Sequence, residues 1–174
     1  MIRSFQGKSP KIADSVFVSE AAYIIGDVEI GENSSVWPGA VIRGDFGKIR
    51  IGKNNAIEDN SVIHVGTTNA PTSDLCIGDN VHIGHGAIIN CRSIGDHVLI
   101  GMNATILHEA VIGNFCILGA GCMISDGMQV PDRSFVVGVP AKIKGEVTEE
   151  QLWWVKEAPK TYQEIAKQYK EEGF

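Results

Sequence analysis

An aliphatic residue recurs every six positions through most of this chain of 174 residues. A period of six fits neither an amphipathic helix nor a simple strand, and it is typical of a parallel β-helix built from hexapeptide repeats. Three hexapeptides form one coil of a triangular prism with the aliphatic side chains inside, so roughly six or seven coils are expected over about residues 12–140. The repeating positions are Ile12, Val18, Ile24, Ile30, Val36, Ile42, Ile51, Ile57, Ile63, Ile77, Ile83, Ile89, Ile94, Ile100, Ile106, Ile112, Leu118, Ile124, Val130 and Val136.

Two insertions interrupt the period. The first is a step of nine residues after Ile42, which predicts a short loop over residues 44–48. The second is a step of fourteen residues after Ile63, in a segment rich in turn-forming residues, and it predicts a projecting loop over residues 66–74.

The pattern changes near the C-terminus. Residues 148–151, with the sequence TEEQ, have the form of an N-terminal capping box and predict a helix, with a kink or break near Pro159. We therefore expect a β-helix over residues 1–145 and a C-terminal helix over residues 146–174. That helix is expected to pack on the prism or on a neighbouring subunit.

Composition argues against several classes of protein. The net charge of −6 and the absence of a basic stripe argue against a nucleic-acid partner. No apolar segment has the length of a signal peptide or a membrane span. The cysteines lack CxxC spacing, which predicts reduced thiols in a cytoplasmic protein; they are Cys76, Cys91, Cys116 and Cys122.

The residue after each core aliphatic is usually small, often glycine, but at several core positions it is polar. Arg43, His64 and Asn90 each follow a core position, and these core positions are three repeats apart when the insertions are counted as loops. They therefore stack in one column on one face of the prism, with about 4.8 Å between coils. Since metal–nitrogen bonds are about 2.1 Å long, one ion could contact both His64 and Asn90.

His85 lies outside this column. It follows Ile83 by two residues, on a different face, and it is expected to stack on Asp59. A metal ion bound by both His64 and His85 would therefore lie between two subunits. The more ordinary interpretation of an isolated histidine is a solvated or hydrogen-bonded side chain, and it is the one preferred for His82, His97 and His108. Similarly, Arg43 with Asp45 can be an interface salt bridge, and Glu58 with Asp59 can be solvated acids in a turn.

Several longer segments are more specific than the period. With them the chain resembles the gamma-class carbonic anhydrases over nearly its whole length. The resemblance implies a left-handed β-helix, a homotrimer, and zinc or iron sites at the subunit interfaces, with ligands from two subunits. The matching segments are SVWPGAVIRGD (35–45), IEDNSVIH (57–64), IGHGAII (83–89), IGDHVLIGMNATIL (94–107) and GVPAK (138–142).

The resemblance assigns metal ligands by position. His64 matches the first ligand, and His85 matches the ligand given across the interface. The second ligand of the first subunit is a histidine in the family, and this chain has Asn90 there. An amide oxygen is a harder and usually weaker donor than imidazole, so we expect a weakened site.

The resemblance also assigns the residues around the ion. Arg43 and Asp45 match the interface pair of the family. Asp59 matches an acid beside the glutamine that positions the metal-bound solvent, and this chain has Glu58 in place of that glutamine. One hypothesis is that Glu58 compensates for Asn90 by binding the ion as a carboxylate ligand.

The resemblance implies metal-dependent hydration of carbon dioxide to bicarbonate, with zinc as the expected metal and iron as the alternative. Two other functions stay open at this point. A homotrimer that has lost catalysis through Asn90 would be a scaffold or binding protein. A hexapeptide acyltransferase or acyl-CoA thioesterase would also fit, because residues 138–142 resemble a segment common in acyltransferases of this fold.

Overall fold

The computed structural model describes residues 1–66 and 74–174, so most of the loop predicted over 66–74 lies outside the described residues. The chain forms a parallel β-helix of about seven coils, followed by one helix, and the prediction of a hexapeptide-repeat fold is confirmed. Within the described ranges, no helix is both long and apolar enough to cross a membrane.

The strands are short because each crosses one face of the prism before the chain turns a corner. They are β1 (Ile2–Arg3), β2 (Lys11–Ile12), β3 (Phe17–Val18), β4 (Tyr23–Ile30), β5 (Ser35–Val36), β6 (Val41–Ile51), β7 (Ala56–Ile57), β8 (Val62–His64), β9 (Leu75–Ile77), β10 (His82–Ile83), β11 (Ile88–Ile89), β12 (Ser93–Ile94), β13 (Leu99–Ile100), β14 (Thr105–Ile106), β15 (Val111–Ile112), β16 (Ile117–Leu118), β17 (Met123–Ile124), β18 (Gln129–Val130), β19 (Ser134–Val137) and β20 (Lys142–Glu146).

The three faces follow from the pairing of these strands. One face runs β3-β5-β7-β10-β13-β16-β19 in parallel, with β20 added in antiparallel orientation. The long strands β4 and β6 join the other two faces: β6 pairs with β8 through its first half and with β9 through its second half. From there one face continues through β11, β14 and β17, and the other through β12, β15 and β18.

The core consists of the repeating aliphatic residues together with small side chains that fill the corners. Ile24, Ile42, Ile57 and Ile63 are completely buried. The small corner residues are buried as well; they are Ala22, Ala40, Ala87, Ala104, Cys116 and Cys122. Strand β1 lies before the first repeating position, Ile12, and it already pairs with β4.

The insertion after Ile42 bulges as predicted, but it does so within a strand and not as a separate loop, since β6 runs from Val41 to Ile51. The extra residues are absorbed by a shift of register against β4, in which Gly26 pairs with Gly44 and Val28 pairs with Ile49. Residues 45–48 lie between these paired positions and form the bulge, which is the ordinary way to fit extra residues into a strand.

The C-terminal helix α1 (Glu149–Glu172) begins at the predicted capping box. The Thr148 side chain accepts a hydrogen bond from the backbone N–H of Gln151, and the Gln151 side chain accepts one from the backbone N–H of Thr148. The predicted break at Pro159 does not occur, since the helix runs continuously through it.

Helix α1 packs against the face that contains β10. It contacts β3, β5, β7 and β10. Ala166 is buried beside Phe17 and Trp37, and Tyr162 and Ile165 pack against the same cluster. The helix therefore covers outward-facing side chains that would otherwise be exposed to water.

Candidate active site

The predicted polar column is present on the face formed by β6, β8 and β11. Arg43 pairs in register with His64, and Ile63 pairs with Ile89, so Asn90 occupies the next position of the column. The hexapeptide period produces this arrangement directly, because residues three repeats apart lie one above the other on the same face.

Asp45 links two members of this group within one chain. His64 Nε2 lies 2.9 Å from Asp45 Oδ1, and Arg43 donates to the other carboxylate oxygen. The second ring nitrogen of His64, Nδ1, lies 3.4 Å from Arg43 Nη2. Burial by itself raises the pKa of Asp45, but the hydrogen bonds and charges of Arg43 and His64 outweigh it and hold that pKa below its usual value.

His85 lies on the neighbouring face, stacked on Asp59 as predicted. Its Nδ1 is 3.1 Å from Asp59 Oδ2. Its Nε2 is 3.1 Å from Glu58 Oε2, and its backbone N–H donates to the same oxygen at 2.8 Å. About half of the His85 side chain is exposed, so the ring is fixed from below by two acids and is open to solvent above.

Glu58 does not behave as a solvated acid. Only 3% of the residue is exposed, and His82 Nε2 lies 2.6 Å from its Oε1. Burial alone raises the pKa of Glu58, but the hydrogen bond to His82, the nearby hydroxyl of Tyr162 and the charges of His82 and His85 lower it overall. The same environment raises the pKa of Tyr162, through burial first and then through the Glu58 carboxylate.

The interpretation of His82 as an ordinary solvated or hydrogen-bonded histidine is only half right. It is hydrogen-bonded, but it is 7% exposed and its partner is the acid beside His85. The sequence position of His82, immediately before Ile83, does not predict this burial. Side chains next to a core position point out of the prism and are exposed unless another element covers them. Helix α1 supplies the cover, and the ring of Tyr162 meets the His82 ring edge to face at 4.8 Å. His97, by contrast, stacks on Phe115.

A cleft of about 420 Å³ opens above these residues, between helix α1 and the coils. Its lower part is polar, with Glu58, His82, His85 and Tyr162. Its walls are apolar and include Leu99, Met102, Trp153 and Trp154. Trp153 and Trp154 were not singled out in the sequence, and they lie in the first turns of the helix with more than half of each exposed.

The predicted site residues thus form two groups on adjacent faces. His64 and Asn90 belong to one, and His85 belongs to the other. Within residues 1–66 and 74–174 of a single chain, no three histidine, cysteine or acidic side chains are placed to hold one metal ion. A three-ligand site made from these residues would therefore need a second copy of the chain.

The chemistry of the donors suits a divalent transition metal. Imidazole and amide groups are neutral donors that zinc or iron accepts. His64 has Nε2 against the Asp45 carboxylate, and His85 has Nε2 against Glu58 and Nδ1 against Asp59. Hydrogen bonding of this kind is the usual support for a histidine that binds a metal through its other nitrogen.

Comparison with known proteins places the chain in a family. The model of the family "Bacterial transferase hexapeptide (six repeats)" matches residues 9–44 and 93–126. Gamma carbonic anhydrase 2 of Arabidopsis thaliana, a mitochondrial protein, is 37% identical over 91% of this chain, which spans 58% of that relative's length. Carbonic anhydrase of Geobacillus kaustophilus is 37% identical over 98% of this chain and 91% of its own length.

The fold is similar to solved structures as well. A hexapeptide transferase family protein from Anaplasma phagocytophilum superimposes with a TM-score of 0.90 at 34% identity and covers 97% of each chain. Together with the sequence relatives, these observations identify the chain as a member of the gamma-class carbonic anhydrase-like group of hexapeptide-repeat proteins.

Proposed function

We propose that this chain hydrates carbon dioxide to bicarbonate at metal sites shared by neighbouring subunits of a homotrimer, and that Asn90 weakens those sites. The observation that carries the proposal is the placement of His64 and His85 on adjacent faces, each with its ring held by a neighbouring carboxylate. In a member of a carbonic anhydrase-like family, this arrangement is suited to a metal ion that receives ligands from two chains.

The residues that would hold the ion are His64 and Asn90 of one subunit and His85 of the next. Zinc is the metal we propose, with iron as the alternative. When bound, zinc would act as a Lewis acid and lower the pKa of a water molecule that it binds to about 7. The amide oxygen of Asn90 is a weaker donor than an imidazole, so occupancy is expected to depend on the metal concentration.

The remaining side chains orient these ligands. Asp45 accepts from His64 and is itself held by Arg43, which keeps the ring of His64 in one orientation. The buried Glu58 carboxylate holds Nε2 of His85, so Nδ1, which faces the more exposed Asp59, is the nitrogen that can turn toward an ion. Asp59 is also 38% exposed, so it is the acid placed to exchange protons with bulk water.

Glu58 is better suited to a supporting role than to ligation. Both of its oxygens are engaged, one by His82 and the other by His85. Turning Glu58 toward an ion would leave the buried His82 ring without its acceptor. These contacts argue against the hypothesis that Glu58 replaces the missing imidazole.

The substrate would be small and apolar, and the walls formed by Leu99, Met102, Trp153 and Trp154 beside His85 suit such a molecule. We propose no nucleic-acid or membrane partner. A cytoplasmic location stays a prediction from the reduced cysteines, all four of which are free.

The first experiment measures the metal content of the oligomer purified without chelator, by elemental analysis. About one zinc or iron per chain is expected, with carbon dioxide hydration by stopped flow that is lost in His64→Ala and in His85→Ala. His108→Ala is the matched control and should leave both measurements unchanged. Full occupancy without hydration activity, in a trimer of native stability, would reject the proposal.

A subunit-mixing experiment tests the shared site. His64→Ala and His85→Ala chains are unfolded together and refolded as mixed oligomers. If each site draws one histidine from each neighbour, about a quarter of the interfaces regain an intact pair, and metal content and hydration recover to about a quarter of the wild-type level. No recovery in mixed trimers would mean that the two histidines serve separate sites.

Acyl transfer is the second candidate, favoured by the likeness to the hexapeptide transferase family protein. An enzyme of this kind should bind coenzyme A along the coils, and hydrogen exchange would detect the protection. Binding that persists in His64→Ala, together with absent hydration activity, would favour this function.

A further inference from the structure

The buried histidine His82 lies in a column that is otherwise largely apolar. On the face beneath helix α1, its in-register neighbours are Ala56 in the preceding coil and Leu99 in the following one, and Ile117 comes next. A buried imidazole is costly unless its polar atoms are paired. Its Nε2 is paired with Glu58, whereas its Nδ1 is buried without a hydrogen-bond partner among the described residues.

Among the described residues, the polar contact of the His82 ring is therefore the one to Glu58. At 2.6 Å it is a short hydrogen bond to a carboxylate that is itself almost fully buried. A charged acceptor makes such a bond about twice as strong as one between neutral groups. Leucine would fill the same place in the column without the unpaired nitrogen, so packing alone does not explain a histidine here.

The other oxygen of Glu58 contacts His85 twice. It accepts from the backbone N–H at 2.8 Å and lies 3.1 Å from the ring Nε2. Because the two carboxylate oxygens are rigidly connected, fixing one oxygen with His82 fixes the direction of the other. The link from His82 to His85 therefore passes entirely through one carboxylate.

We propose that His82 is a positioning residue: it holds the Glu58 carboxylate against His85 and so sets the orientation of that imidazole toward the shared site. The inference rests on the proposed function for the role of His85, and it adds a residue that lies outside the predicted ligand set. His82 itself touches neither the ion nor the substrate.

The test compares two substitutions of His82. His82→Leu keeps the volume of the column and removes the donor, whereas His82→Gln keeps an N–H donor at a similar reach. Zinc affinity, measured by competition with a chromophoric chelator, is expected to fall about tenfold in His82→Leu and to stay close to wild type in His82→Gln. His85→Ala gives the lower limit of affinity.

A double-substitution cycle with Glu58→Ala shows whether the effect passes through the carboxylate. Glu58→Ala removes the acceptor as well as the charge, so in this background His82→Leu should cause no further loss of zinc affinity. An undiminished loss in that background, an equal loss in both His82 variants, or tighter zinc binding in His82→Leu would each overturn the proposal. Thermal melting of every variant identifies any that fail to fold.

A second readout does not require bound metal. In the metal-free trimer, ¹⁵N NMR of the His85 ring reports which nitrogen faces Glu58. The signal should change in His82→Leu and not in His82→Gln, and an unchanged signal in both would contradict the positioning role. His97→Asn is the control. His97 also has a buried Nδ1 without a partner among the described residues, and its positive φ is one that asparagine adopts readily. If the ring responds as expected but the trimer hydrates no carbon dioxide, the proposed function fails while the positioning role stands.

Discussion

His64 and Asp45 form a hydrogen bond of 2.9 Å within one chain, and Arg43 contacts both of them. The three side chains thus form a closed group at the edge of the proposed site. Because Asp45 is mostly buried and accepts from two cationic or polar partners, its carboxylate is needed in ionised form for the group to hold together.

Replacing Asp45 with asparagine is expected to lower the free energy of unfolding by about 1–3 kcal/mol at pH 7. The folded state depresses the pKa of Asp45, so its stabilising contribution is present above the ordinary value near 4 and is lost as the pH falls through the lower folded value. Urea unfolding at pH 7 and near pH 3 should show the difference between wild type and Asp45→Asn shrinking at the lower pH. Asp126→Asn, at an exposed acid, is the control. A difference that does not depend on pH would contradict the prediction.

Restoring a histidine at position 90 should strengthen the proposed site. Asn90 follows His64 in the column, so an imidazole there would lie one coil from the first ligand. We expect Asn90→His to raise zinc affinity by at least about tenfold, since one good ligand contributes a sizeable share of the 10–16 kcal/mol typical of structural zinc sites. Chelator competition and stopped-flow hydration measure the two effects. Asn60→His, at a corner, is the control; an intact trimer with no gain in either quantity would refute a weakened-anhydrase interpretation.

Gly101 should tolerate no side chain, because the coils stack too closely there. A Cβ atom at this position would lie 2.4 Å from the backbone nitrogen of Ala120. Gly101→Ala is therefore expected to destabilise the protein by about 1–3 kcal/mol through overpacking. Gly127→Asn is the contrasting variant: nothing lies within 4 Å of a Cβ there, and asparagine accepts its positive φ. Equal melting temperatures for the two variants would be inconsistent with this account.

The capping box of helix α1 should contribute measurably to stability. Thr148→Ala removes the acceptor for the Gln151 backbone N–H and is expected to cost about 0.5–2 kcal/mol. Thr161→Ala, at an exposed position within the helix, is the control and should change the free energy of unfolding by less. Because helix α1 covers His82, we also expect faster hydrogen exchange of strand β10 in Thr148→Ala, and unchanged exchange there would weaken the link between the helix and the site.

The parts of the site that could be predicted are those that depend only on counting along the chain. The stacking of His64 with Asn90, and of His85 with Asp59, follows from the six-residue period because each coil repeats the register of the one before it. The same counting located the bulge at residues 44–48, but it did not show that the strand continues through it, because pairing with β4 resumes at Ile49. It also missed the first strand, which lies outside the periodic region.

Local sequence patterns are enough to predict the solenoid, its aliphatic core, the column that carries His64 and the start of the C-terminal helix, because each depends on local spacing or on residues a few positions apart. The environment of the outward-facing side chains depends instead on packing between distant segments. Helix α1 packs over β10 from about eighty residues away in sequence and buries Glu58 with His82 and Tyr162, which converts an acid expected in water into a fixed carboxylate beside His85. An outward-facing side chain on a strand is exposed or buried according to whether another element covers it. No local sequence pattern shows which element that will be.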